Sequence, residues 1–115
     1  TPLVVVLGHS SCGAILSTLE ELKRPREAQS RGLRSIVDRV RPSVEALLAT
    51  DLANDTPELV RQAVRANVRV SANHLRHGSD VVEQLVQKGK LLIVGAEYSL
   101  ETGVVDFFDG VLPPA

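Results

Sequence analysis

The chain has 115 residues, with 13 Lys plus Arg against 14 Asp plus Glu and a formal charge of −1. That balance gives no electrostatic case for a nucleic-acid or membrane-surface partner, and the longest apolar run, Leu3 to Leu7, is too short to span a bilayer. A single cysteine excludes an intrachain disulfide, and the scarcity of aromatics (one Tyr, two Phe, no Trp) requires an aliphatic core. The length corresponds to one domain, 1–115.

Leu3-Val4-Val5-Val6-Leu7 is β-branched and continuously apolar, the pattern of a parallel strand covered on both faces. The chain enters this strand with no initiator Met and no polar lead-in, which predicts that an upstream part precedes Thr1. Gly8-His9-Ser10-Ser11 breaks the run, and a helix follows from Cys12 with Ile15, Leu16, Leu19 and Leu22 on one stripe. Lys23 to Gly32 reads as a loop.

Leu33, Ile36, Val37, Val40, Val44, Leu47 and Leu48 recur at helical spacing, with a kink or break expected at Pro42. Thr56 is placed to cap a long helix, Pro57 to Arg76, whose inner face carries Val60, Ala63, Val64, Asn67, Val68, Ser71 and Leu75. Gly78 stops it. Asp80 is placed to cap a short helix, Val81 to Gln87, which Gly89 ends.

Leu91 to Ala96 forms a second doubly buried strand; Glu101-Thr102-Gly103 turns the chain, and Val104 to Phe108 returns as an antiparallel strand. The order describes an α/β fold: a parallel sheet flanked by helices with a C-terminal antiparallel hairpin strand. Reactive groups in such sheets lie beyond the carboxyl ends of the strands, where the loop Gly8 to Gly13 sits.

In that loop, His9 and Cys12 form a His-x-x-Cys pair. Imidazole and thiolate are both zinc ligands, and a tight turn directs both at one ion. Gly8 and Gly13 flank the pair, allowing close approach or unusual dihedrals. Two alternatives stay open: Cys12 as a nucleophile with His9 as its base, or a small buried thiol beside a loop histidine. His74 and His77 share a helix face but have no placed third ligand, and read as surface histidines favoured by the helix C-terminus. The glycine spacing matches neither the phosphate-loop nor the dinucleotide fingerprint.

The segment Val4-Val5-Val6-Leu7-Gly8-His9-Ser10-Ser11-Cys12-Gly13-Ala14 resembles the second zinc-ligand segment of the β-class carbonic anhydrases. Leu92-Ile93-Val94-Gly95-Ala96-Glu97-Tyr98-Ser99-Leu100-Glu101-Thr102-Gly103-Val104-Val105 is similar to that family's C-terminal strand-turn-strand. The resemblance implies an incomplete β-carbonic-anhydrase-like fold, lacking its N-terminal part. It also implies zinc as cofactor, held by His9 and Cys12, and CO₂ and bicarbonate as substrates. The family's other cysteine ligand and its Asp–Arg dyad come from an upstream Cys-x-Asp-x-Arg segment with no counterpart here, so no catalytic residue is assigned in this chain. The intact protein is then expected to hydrate CO₂, to be cytoplasmic and to form a dimer or a multiple of dimers, with this chain alone weakly active or inactive. Its edge strand would be covered by an upstream segment, a second copy or a partner. Two other expectations are a non-catalytic carbonic-anhydrase-like binding or assembly module, and a dimer linked by a structural Cys₂His₂ zinc.

Overall fold

A computed structural model describes residues 3–25 and 31–111. The elements in chain order are β1 (Leu3–His9), α1 (Gly13–Lys23), α2 (Arg34–Val44), two 3-10 turns (Glu45–Ala49 and Asp51–Asn54), α3 (Thr56–His77), α4 (Asp80–Gln87), β2 (Leu92–Tyr98) and β3 (Val105–Asp109). They fall into two compact units: Ser11–Asn67, and Thr1–Ser10 together with Val68–Ala115.

The sheet belongs to the second of these, with strand order β1-β2-β3. β1 runs parallel to β2, from Leu3 opposite Leu92 to His9 opposite Tyr98. β3 returns antiparallel, with Tyr98 opposite Val105, after a turn in which Gly103 takes a φ of +75° that a side chain would oppose. β2 has a strand on each side, and Ile93 to Glu97 are buried in an unbroken run; the expected burial from Leu91 begins two residues later, with Leu92 38% exposed.

Among the described residues β1 is an edge strand, as the resemblance implies, and the burial on both faces that its apolar run suggests is not met: alternate residues Leu3, Val5 and Leu7 are 47%, 41% and 57% exposed. A continuous apolar run reports that both faces tolerate burial; it does not report whether each face is covered, and the face that carries Leu3, Val5 and Leu7 is the more open one. Against the central strand lies the C-terminal part of α3. There Gly95 admits Val68, and an added Cβ would stand 2.8 Å from Val68 Cγ1.

Two helix starts differ by one residue from the sequence reading. Ser79, not Asp80, caps α4: its backbone is extended and its Oγ accepts from the Val82 N–H at 3.2 Å. Asp55, not Thr56, caps α3, with Oδ1 accepting from the Glu58 N–H at 3.3 Å. The expected stops hold. A Cβ on Gly78 would run into the His74 carbonyl oxygen, and Gly89 takes a left-handed φ of +71° after α4.

The other unit, Ser11–Asn67, is helical. Its core is Ile15, Leu19, Val40, Val44, Leu59, Ala63 and Val64, with Cys12, Leu22, Leu47 and Leu48 packed against it. Of the α1 stripe, Ile15 and Leu19 are buried while Leu16 is 38% exposed. α2 continues through Pro42 and changes to a 3-10 turn at Glu45, so the break comes three residues late. Pro42 lies in the last turn, where the missing N–H removes one bond and the tighter 3-10 winding follows. The loop expected over Lys23 to Gly32 lies partly outside the described residues.

Candidate metal centre

His9 is the last residue of β1, exposed at the carboxyl end of the strand. Its ring Nδ1 lies 2.8 Å from the Ser10 carbonyl oxygen. A carbonyl only accepts, so in the neutral ring Nδ1 carries the proton and Nε2 is left with a free lone pair. That tautomer suits ligation through Nε2.

Ser10 is held at every polar group. Its N–H donates to the Tyr98 carbonyl at 2.9 Å, continuing the β1–β2 ladder by one bond. Its Oγ accepts from the Leu100 N–H at 2.8 Å and donates to Glu101 Oε2 at 2.8 Å. The same Glu101 oxygen accepts from the Ser99 hydroxyl at 3.1 Å, and Ser99 Oγ in turn accepts from the Thr102 N–H at 3.2 Å. The residue after the predicted ligand is thereby fastened to the β2–β3 turn. Sequence reading missed Ser10, Ser99 and Glu101. Nothing local marks a hydroxyl whose partner lies 91 residues away.

Cys12 opens α1. It has extended backbone (φ −70°, ψ 117°), its carbonyl accepts the Leu16 N–H at 3.0 Å, and its side chain makes no capping bond. The thiol is free and half-buried, beside the helical core. Ser11 precedes it at φ +54°, a left-handed conformation that costs a non-glycine residue about 1–2 kcal/mol. The unusual dihedral expected of the flanking glycines thus falls on Ser11. Gly13 is helical, and a Cβ there would meet nothing within 4 Å.

His74 and His77 lie in the last turn of α3, both exposed, as expected of surface histidines. His77 Nδ1 is 3.3 Å from Glu83 Oε1. Among the described residues no group of three or more His, Cys, Asp or Glu is gathered as a metal cage. The donors His9 and Cys12 therefore suit zinc in kind, a nitrogen lone pair and a sulfur. In number they fall short of the three protein ligands of a catalytic zinc site.

A family model described as carbonic anhydrase matches residues 1–105. The carbonic anhydrase of Mycolicibacterium smegmatis is 35% identical over 105 residues, which cover 91% of this chain and 48% of that protein. Carbonic anhydrase 2 of Mycobacterium tuberculosis is 33% identical over 102 residues, covering 89% of this chain and 46% of that protein. Among solved structures, the β-carbonic anhydrase CafA of Aspergillus fumigatus superposes with a TM-score of 0.75 at 24% identity, over 98% of this chain and 51% of that one. A tetrameric β-carbonic anhydrase of Sordaria macrospora gives 0.74 at 19% identity, over 94% and 52%. The chain thus spans about half the length of the relatives it matches. Taken with the helix-flanked sheet and the His-x-x-Cys turn at its carboxyl end, the match over residues 1–105 shows that this chain belongs to the carbonic anhydrase family, with the fold of its β class.

Proposed function

We propose that this chain forms the His–Cys half of a zinc site in a carbonic anhydrase, and that the intact protein interconverts CO₂ and bicarbonate. The observation that carries the reading is the contact of His9: its Nδ1 lies 2.8 Å from the Ser10 carbonyl, an acceptor that favours the proton on Nδ1 and leaves Nε2 for a metal. Cys12, three residues on, offers sulfur at the start of α1. Zinc in such a site supplies the Lewis acidity that makes water nucleophilic near neutral pH.

A further protein ligand has to come from outside the described residues, because these gather no group of three donors. On this reading residues 1–115 make one part of a longer β-carbonic-anhydrase domain, and the chain by itself is weakly active or inactive. The tetrameric state named for the Sordaria macrospora relatives supports a homo-oligomer built from dimers. The described residues contain no helix long and apolar enough to cross a membrane.

The test is metal content and stopped-flow CO₂ hydration of the intact protein, with His9→Ala and Cys12→Ala alongside. One zinc per chain and a hydration rate lost with either substitution support the reading. Zinc retained in both variants overturns it, and one zinc per two chains replaces it with a structural metal link between copies.

A further inference from the structure

We propose that Glu101 is a positioning residue for His9: acting through the Ser10 hydroxyl, it fixes the carbonyl that keeps the imidazole proton on Nδ1 and so presents Nε2 to the metal. The proposal rests on the reading of His9 as a zinc ligand.

The chain of contacts is continuous. Glu101 Oε2 accepts the Ser10 hydroxyl proton at 2.8 Å, and the same hydroxyl accepts the Leu100 N–H at 2.8 Å. A serine hydroxyl with one partner swings among its rotamers. With a donor on one side and a carboxylate on the other, it has one orientation that satisfies both. The Ser10 N–H is bonded to the Tyr98 carbonyl at 2.9 Å. Anchored at both its nitrogen and its Oγ, Ser10 cannot shift its main chain, and its carbonyl oxygen stays 2.8 Å from His9 Nδ1.

Glu101 is itself braced. Its Oε2 also accepts from Ser99 Oγ at 3.1 Å, and Ser99 is tied to the turn by the Thr102 N–H and, through its carbonyl, by the Gly103 N–H at 2.8 Å. A carboxylate oxygen accepting two hydroxyls makes shorter and stronger bonds than a neutral amide oxygen in the same place. The arrangement is that of an outer partner of a metal ligand: it touches neither ion nor substrate and acts through the residue whose carbonyl holds the ring.

Two readouts on the intact protein test this. Long-range ¹H–¹⁵N NMR of the metal-free protein, at a pH where His9 is neutral, reads which ring nitrogen bears the proton. The wild type should show Nδ1–H. Glu101→Ala and Ser10→Ala should move the population towards Nε2–H, Glu101→Gln should do so less, and Ser10→Thr, which keeps the hydroxyl, should leave it unchanged. Zinc affinity, measured by competition with a chromophoric chelator, should fall about 10-fold in each alanine variant. The double variant should fall no further, since both act along one path. An unchanged tautomer in Glu101→Ala and Ser10→Ala overturns the proposal, as does a shifted tautomer with unchanged zinc affinity. His9→Ala separates the two ideas. If it leaves zinc affinity intact, the zinc reading fails, while the NMR result still decides whether Glu101 orients the ring.

Discussion

The Arg76 guanidinium donates through Nη2 to the Asp109 carboxylate at 2.9 Å, joining the end of α3 to the end of β3. The same nitrogen donates to the Ile93 carbonyl at 2.6 Å, and Nη1 donates to Asn73 Oδ1 at 2.8 Å. Gly110 passes so close that an added Cβ would stand 2.5 Å from Arg76 Nη2. The pair is largely shielded, with side chains 15% and 21% exposed, so solvent screens it less than a surface ion pair. Arg76→Ala should lower stability by about 2 kcal/mol, the usual scale for losing bonds to a charged group. Arg76→Lys should recover only part of this, because an ammonium lacks the planar fork that serves several acceptors at once. Urea unfolding midpoints decide it, and equal midpoints for Arg76→Lys and wild type would refute the argument.

Alanine at two glycines should act with opposite signs. In both, replacing glycine reduces unfolded-chain entropy, a gain of about 0.4–1 kcal/mol. At Gly95 the new methyl would lie 2.8 Å from Val68 Cγ1 and 3.0 Å from Asp109 Cβ, and overpacking costs about 1–3 kcal/mol. The overlap wins, so Gly95→Ala destabilises. Gly13 is helical with open space around it, so Gly13→Ala should stabilise. Thermal melts of the two variants on either side of the wild type would agree with this.

Cys12→Ser should separate folding from metal binding. The Cys12 side chain makes no bond to the orphan N–H groups of α1, whereas serine is among the strongest N-cap residues. The metal-free variant should be as stable as the wild type or up to about 1 kcal/mol more so. Its zinc affinity should drop because the soft sulfur donor is gone. Calorimetry in chelator and zinc titration together check it; a metal-free variant that melts early would contradict the capping argument.

Glu58 gives a small acid dependence with a defined sign. The Gln62 amide donating to its carboxylate at 2.9 Å, with the charges of Arg61 and Arg65, lowers its pKa from the ordinary 4.5 against a weaker opposing burial effect. A group whose folded pKa is depressed contributes stability above its unfolded pKa and loses it as pH falls through the folded one. The contribution is therefore complete above about pH 4.5 and declines below it. Glu58→Gln should lower stability near pH 7, where the wild type has the whole contribution, and make little difference well below pH 4.5, so that the curve between them is flatter. A parallel loss at both pH values would point to packing instead.

Much of the fold was legible because it rests on local patterns. The β2 run, the return strand after Gly103 and the long helix ending before Gly78 all follow from periodicity and from residues that tolerate or forbid certain dihedrals. The helix starts were misplaced by one residue at Asp55 and Ser79, because several adjacent polar residues can cap and only backbone geometry selects one. The edge position of β1 was expected from the resemblance, but which of its faces is open, that of Leu3, Val5 and Leu7, was not legible in a run with no polar residue to mark it. Of the candidate metal centre, His9 and Cys12 stood out by spacing. The tautomer of His9 and the Ser10–Glu101 bond did not, because both depend on a turn far along the chain.

The parallel pairing of β1 with β2 also sets an order of events during folding. Leu3 pairs with Leu92, so the first strand leaves the ribosome long before its partner is made. The helical core of Ser11–Asn67 is contiguous in sequence and forms from short loops, which close quickly. The β1–β2 pairing must wait until Leu92 to Tyr98 has been made, and the loop-closure entropy of the intervening chain is then met in one step. During that interval Leu3 to Leu7 is an apolar segment without its β2 partner, the kind of surface that favours aggregation. The backbone pairing that puts His9 beside Tyr98 is thus among the last features of the molecule to appear.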